Sequence, residues 1–269
     1  MTTAVLTVCS AGRREHLGHQ AVAVRRQHAD LYVVAWIGPG PVDDVDADVV
    51  LRVPPGTAGL PVAAARNAAA DEAVRRGADA LVLLDADCVP GPGTLDRYAA
   101  TVAARPDAVL CGPVSYLPAG VDVDDPRELA RRTAPHAARP DPGDGELRAA
   151  TPEEYDLFWS LSFAVAATRW ADGPRFDEGF EGYGAEDTDY ACALRARGVP
   201  LLWVGGAHAY HQFHPTQSPP WQHLDDILRN GARFAQRWGR WPMGGWLEAF
   251  AAAGAITWDG GTWRRTSAR

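Results

Sequence analysis

Three groups of residues in this 269-residue chain have the types and spacing to do chemistry. The first is Asp85-Ala86-Asp87, which follows directly on the apolar run Ala80 to Leu84. Side chains alternate along a strand, so carboxylates at i and i+2 can converge on one ligand. Paired carboxylates suit a hard divalent cation such as Mg²⁺ or Mn²⁺, which in turn can neutralise a diphosphate leaving group. The plainer alternative is a strand ending in two solvated aspartates that cap a turn.

The second group is Gly179 to Asp189, in which glycines and aromatics alternate with Glu181, Glu186, Asp187 and Asp189 just before a helix-forming stretch. Glycine lets backbone approach a ligand closely, Tyr183 offers a flat face for a sugar, and a carboxylate in a first helical turn is held by the helix dipole. Either Glu186 or Asp187 can then accept the proton of an attacking hydroxyl. The dipole lowers a carboxylate pKa, so base strength would have to come from a dry, closed site. Simple helix capping is the competing explanation. The third group is His208-Ala209-Tyr210-His211-Gln212-Phe213-His214, whose imidazoles at intervals of three can share a metal, one of them completing the coordination begun by Asp87. His16, His19, His28, His136 and His223 read as structural or surface residues.

The elements that must position these groups alternate between strand and helix patterns. Apolar runs at Ala4 to Cys9, Leu31 to Ile37, Val49 to Val53 and Ala80 to Leu84 read as strands. An amphipathic stretch, Glu15 to His28, and an Ala-rich helix between Pro61 and Gly77 lie among them. That order predicts a parallel sheet, with ligands beyond the strands' carboxyl ends. Further on, the pattern predicts a helix at Thr94 to Ala104, one or two strands at Ala108 to Tyr116, and a strand at Leu157 to Thr168. A helix at Asp187 to Arg197, a strand at Val199 to Val204 and a final helix at Trp221 to Trp238 complete it. Pro118 to Pro152, rich in Pro, Gly, Asp and Arg, reads as a surface excursion or mobile loop.

Composition bounds the function. The formal charge of −8 argues against a nucleic-acid partner. Met1 to Ser10 has no basic region before its apolar run, and Arg13 and Arg14 follow at once, which is wrong for an export signal. No stretch approaches the ~18 apolar residues of a membrane helix. The four cysteines lack metal-type spacing and read as free thiols. A soluble, cytoplasmic chain with no membrane span is expected.

In order along the chain, the motifs resemble family 2 glycosyltransferases, and within them the branch similar to the β-1,4-galactosyltransferases. Arg13-Arg14-Glu15-His16-Leu17 looks like the arginine-rich nucleotide-binding turn of that branch, Ala65-Arg66-Asn67 like the element preceding the Asp-x-Asp strand, and Asp85-Ala86-Asp87 like the metal and diphosphate motif. Gly184-Ala185-Glu186-Asp187-Thr188-Asp189 is similar to the acceptor-side signature, with Tyr183 where the family carries Trp. Coverage runs from about Val5 to about His214.

The resemblance implies a GT-A fold: an α/β architecture with a Rossmann-like mixed sheet flanked by helices on both faces. It implies one domain over 1–269, with a nucleotide-binding half to about 115, an acceptor and metal half at about 150–216, and a C-terminal helical extension at about 219–269. It also implies a nucleotide-sugar donor, UDP-linked, bound by Arg13, Arg14, Arg66, Asn67, Asp85 and Asp87, and transfer of a hexose such as galactose with inversion. The acceptor, a carbohydrate or small molecule, would meet Tyr183, Gly184 and Glu186, with Asp187 as base or the two acids exchanged. The divalent cation, Mn²⁺ or Mg²⁺, would be held by Asp87 and His211, with His208 and His214 as rival further ligands. Two other functions fit parts of the pattern. A sugar-phosphate nucleotidyltransferase would need a better phosphate loop than Gly12-Arg13-Arg14, and an inactive nucleotide- or carbohydrate-binding domain would have no use for both acidic clusters.

Overall fold

A computed structural model describes residues 1–266. The first half builds β1 (Thr3–Ser10), α1 (Arg14–Arg26), β2 (Leu31–Ile37), β3 (Val49–Val53), α2 (Val62–Arg75), β4 (Ala80–Asp85), β5 (Cys88–Pro90), α3 (Thr94–Ala104), β6 (Val109–Cys111) and β7 (Val114–Tyr116). The second half adds α4 (Pro126–Arg131), β8 (Leu147–Ala149), β9 (Ser162–Ala166), α5 (Ala167–Asp172), α6 (Glu186–Ala196), β10 (Leu201–Val204), β11 (Ala209–His211), α7 (Leu224–Trp238), α8 (Gly244–Ala252), β12 (Ile256–Asp259) and β13 (Thr262–Arg265).

The main sheet has the order β3-β2-β1-β4-β9-β6-β10-β8. β3, β2, β1 and β4 are mutually parallel, whereas β9 runs antiparallel to both its neighbours and β8 antiparallel to β10. The sheet is therefore mixed, as the resemblance implies, and not wholly parallel as strand–helix alternation alone predicts. β5, β11 and β7 form a second, small sheet.

Both faces of the central strands are covered, which is why they read as unbroken apolar runs. Alternate residues feed two cores. Leu6, Val33, Leu81 and Leu83 face the alanines of α2 and Tyr190 and Leu194 of α6. Val5, Val34, Trp36 and Val82 face Leu17, Ala21 and Val24 of α1 and Leu95, Tyr98 and Val102 of α3. Burying Leu17 and Val24 contributes about 1.5–3 kcal/mol each. All four cysteines are free and buried.

Three expectations change. The 118–152 segment contains α4 and contributes β8 to the main sheet. Residues 134–139 within it are stitched to β7: Ala134 N donates to Ser115 Oγ (2.9 Å) and His136 N to the Val114 carbonyl (3.0 Å). The strand expected over 157–168 is only β9, its ends taken by a 3₁₀ turn (Glu153–Leu157) and by α5. The C-terminal extension is not all helical, because β12 and β13 form a hairpin packed on α7 and α8.

Candidate active site

A cleft of about 600 Å³ opens beyond the carboxyl ends of β1, β2 and β4, where Ser10, Ile37 and Asp85 line it. Asp87, Tyr183, Gly184, Glu186 and Asp187 line it too, so the first two acidic groups meet in one place.

Asp87 lies in the tight turn between β4 and β5. β11 pairs with β5 so that His211 stands opposite Cys88, and Gln212 N donates to the Asp87 carbonyl (2.7 Å). This register brings His211 Nε2 to 3.6 Å from Asp87 Oδ1 and His214 Nε2 to 3.4 Å from Oδ2. One ligand atom from each of the three residues lies within 4.8 Å of the others. Burial alone would raise the Asp87 carboxyl, but the His214 hydrogen bond and the charges of His211 and Arg13 outweigh it and bring it to about 2. Burial lowers the pKa of His211, which favours the neutral imidazole with a lone pair to donate. One carboxylate and two imidazoles fit a first-row divalent ion such as Mn²⁺ better than Mg²⁺, which prefers oxygen throughout. Arg13 now balances the charge there: its Nε donates to Asp87 Oδ2 (3.0 Å) and its Nη2 lies 3.2 Å from His214 Nε2.

Asp85 and Asp87 do not lie on one strand, so side-chain alternation does not aim them at one ligand. Asp85 is the last strand residue and Asp87 sits in the turn, and their partners differ. Asp85 Oδ1 accepts from Arg66 Nη2 (2.8 Å), while Arg66 Nη1 donates to Glu186 Oε1 (3.1 Å). Arg66, almost fully buried on α2, thus ties the strand-end acid to the helix-start acid. Breaking such a pair strands a buried charge at about 3–5 kcal/mol.

Asp187 stands in the first turn of α6, half-buried, and its Oδ1 accepts from Thr188 N (2.7 Å). The N-cap is Ala185, held at φ +75° and offering no side-chain bond. Burial, then the like charge of Glu186, raises the Asp187 carboxyl to about 7, against the pull of Arg66 and the Thr188 hydrogen bonds. Desolvation therefore outweighs the influences that favour the anion, and gives Asp187 the strength of a base near neutrality.

Sequence reasoning missed Gln20. It is fully buried on the apolar stripe of α1, its Oε1 accepting from Thr7 Oγ1 (2.6 Å) and Tyr32 Oη (2.8 Å). Its Nε2 donates to the carbonyls of Asp85 (2.7 Å) and Cys88 (2.8 Å), bracing the turn that carries Asp87 from below. The available signal was a polar residue at a position where helical periodicity demands an apolar one.

His223, expected to be a structural or surface residue, is partly exposed on the cleft wall. It lines the cleft, and the Tyr183 ring stacks on it at 4.3 Å and 8°, with Trp246 5.8 Å away. Asp226, Met243 and Trp246 from the C-terminal segment line the same wall. Asn230 on α7 donates to the carbonyls of Glu181 (3.0 Å), Tyr183 (3.2 Å) and Gly184 (3.0 Å), and Arg237 Nη1 and Trp238 Nε1 hold the buried Asp189 at 2.7 and 2.8 Å. Gly184, at φ +91°, leaves only 2.8 Å between a notional Cβ and Met243 Sδ.

Five of the residues expected at the site, Arg14, Asn67, His208, His211 and His214, are not among those lining the cleft, and His211 and His214 approach it only through Asp87. Arg14 pairs with Asp44 and lies 4.6 Å over the Trp36 ring. Asn67 is buried and grips the backbone of Phe176 and the Glu178 carboxylate, at 2.9 Å each. His208 stands apart from the Asp87 cluster, its Nε2 3.9 Å from Asp144. No helix among the described residues is long and apolar enough to cross a membrane.

No protein-family model matches the chain, and no curated protein matches it in sequence. Solved structures do match. A crystal structure of GalNAc-T7 with UDP, GalNAc and Mn²⁺ superposes with a TM-score of 0.64 at 17% identity, covering 88% of this chain and 48% of that one. S. aureus TarS residues 1–349 superposes at 0.56 and 12% identity, covering 87% of this chain and 66% of that one, and the same protein in complex with UDP gives 0.55. This chain spans about half the length of the first and about two thirds of the second. With its mixed sheet and helices on both faces, the chain has the GT-A fold.

Proposed function

We propose that this chain is a glycosyltransferase of the GT-A type that moves a hexose from a UDP-linked donor to an acceptor hydroxyl with inversion. The observation that carries the reading is that the Asp87–His211–His214 cluster reaches, through Asp87, the same cleft that Asp187 lines with a carboxyl raised to about 7. The solved structures of similar fold that hold UDP, in one case with Mn²⁺, support the donor class.

Asp87, His211 and His214 would hold a divalent cation, Mn²⁺ in preference to Mg²⁺, which when bound supplies the positive charge that stabilises a departing diphosphate. Arg13, released from Asp87, is then free to bind the diphosphate. Arg66 keeps Asp85 and Glu186 in place, with Asp85 toward the nucleotide ribose and Glu186 toward the acceptor. Tyr183 and Trp246 give the acceptor sugar an apolar face to rest on. Asp187 takes the proton of the attacking hydroxyl, and attack from the side opposite the diphosphate inverts the anomeric centre.

The test is thermal unfolding of EDTA-treated protein with UDP, GDP and their sugar conjugates, with and without Mn²⁺. A ligand that binds only the folded state must stabilise it, so a Mn²⁺-dependent rise with UDP ligands is expected. No rise with any nucleotide at saturating concentration would remove the donor site from the cleft.

A further inference from the structure

Two arginines are buried to the same degree and kept very differently. Arg66, 5% exposed, has a carboxylate on each Nη. Arg139, 6% exposed, has none: its Nε, Nη1 and Nη2 are all buried without a hydrogen-bond partner. Its guanidinium lies between the indoles of Trp159 (5.5 Å) and Trp203 (5.1 Å), whose π-faces offset part of the charge but satisfy none of its N–H donors. The neighbouring Cys111 thiol offers no counter-charge: burial raises it to about 12, against the charge of Arg139 and a sulfur contact too weak to count as a hydrogen bond by geometry. A cation left this way costs the free protein stability, and such costs persist where a ligand completes the site.

The surroundings say where that ligand would come from. Trp159 is half-buried and belongs both to the cleft wall and to the Arg139 contact. His136 packs edge-on to Trp159 (4.9 Å) and Tyr116 (5.6 Å), and Tyr116 stacks on His211 (4.6 Å). The segment bearing His136 and Arg139 is pinned to β7. Arg139 is thus fixed one indole away from the cleft and linked by ring contacts to the Asp87 cluster.

We propose that Arg139 anchors an anionic oxygen group, a carboxylate or a phosphate, on a substrate held in the cleft, reached when the Trp159 side chain turns aside. This rests on the glycosyltransferase reading and narrows its substrate class. The planar guanidinium fork matches both groups in a two-pronged contact. The group would belong either to the acceptor or to the sugar of the donor.

Equilibrium binding to the full chain separates these sources. Glucuronate, inorganic phosphate and neutral glucose, each with and without UDP and Mn²⁺, probe the acceptor side; UDP-glucuronate against UDP-glucose probes the donor side. In one arm the anionic ligand is expected to bind about tenfold tighter than the neutral one. Arg139→Gln should erase that preference while UDP affinity stays within about twofold. Absence of an anionic preference in both arms overturns the proposal. If UDP fails to bind but the Arg139-dependent preference for glucuronate or phosphate persists, the anion site stands and the donor reading falls. Arg139→Met should unfold at the same or a higher temperature than the parent, since it removes an unpaired buried charge. A lower temperature would show the guanidinium to be a prop between two indoles and would also overturn the proposal.

Discussion

Replacing Asp187 with Asn should lower activity and raise stability at the same time, the second growing as pH rises from about 4 and complete above about pH 7. The folded carboxyl is raised from 3.8 to about 7. Between those values the folded protein holds a proton that the unfolded chain has released, so stability falls as pH rises through the window and is lowest above about pH 7. The gap spans about three pH units at about 1.4 kcal/mol each, an upper limit of about 4 kcal/mol. Because the carboxyl borders an open cleft, screening by water reduces the expected effect to about 1–2 kcal/mol. Asn carries no charge at any pH and escapes that loss. Urea unfolding should show variant and parent equal near pH 4, with the variant ahead by about 1–2 kcal/mol near pH 8. Turnover near pH 8 should drop by about 10²–10⁴-fold, and the parent's kcat should climb through about pH 7. A variant that turns over normally, or a stability difference that is the same at both pH values, would refute the assignment of Asp187 as a desolvated base.

Glu186→Gln removes the like charge beside Asp187, so the acid limb of the pH–rate profile should move to lower pH; a profile that stays in place would show that Glu186 does not act on Asp187. His214→Ala should weaken Mn²⁺ binding, read by calorimetry without substrate, by at least about tenfold, because it deletes one of the three residues proposed as ligands. Gln20→Leu leaves two hydroxyls and two carbonyls without their partner and should cost at least about 3 kcal/mol in chemical denaturation, with Asp87 displaced in a crystal structure. Gly184→Ala meets both a left-handed φ and the Met243 sulfur, and should cost about 1–3 kcal/mol and blunt acceptor binding, read as a raised KM for acceptor.

What the sequence makes legible here is what local pattern controls. The apolar runs of β1, β2 and β4 and the stripe Leu17, Ala21, Val24 announce their elements directly, and a strand ending in Asp85 announces a site at its carboxyl end. The Asp87–His211–His214 cluster is legible in its members but not in its choice, since selecting His214 over His208 depends on the pairing of β11 with β5. The antiparallel β9 and β8 depend on long-range pairing that no short window encodes. The bracing by Gln20 and the double pairing of Arg66 are likewise invisible as motifs, because each joins residues far apart in the chain. The raised pKa of Asp187 is a property of burial, and composition carries no measure of that.

The bonds from α7 to the acidic turn have a consequence for anyone exchanging parts of this protein. Asn230 gathers three carbonyls of that turn, and Arg237 and Trp238 clamp Asp189. The C-terminal segment is thus a splint: the central sheet owes it no strand, yet the loop that presents Asp187 is moulded against it. A chimaera that borrows another tail would keep its fold and lose the shape of the loop bearing Asp187 unless the Asn230, Arg237 and Trp238 contacts travel with it. On the proposed function, acceptor choice and catalytic geometry would be inherited together, and changing one without the other would mean editing only the face of the tail that carries His223 and Trp246.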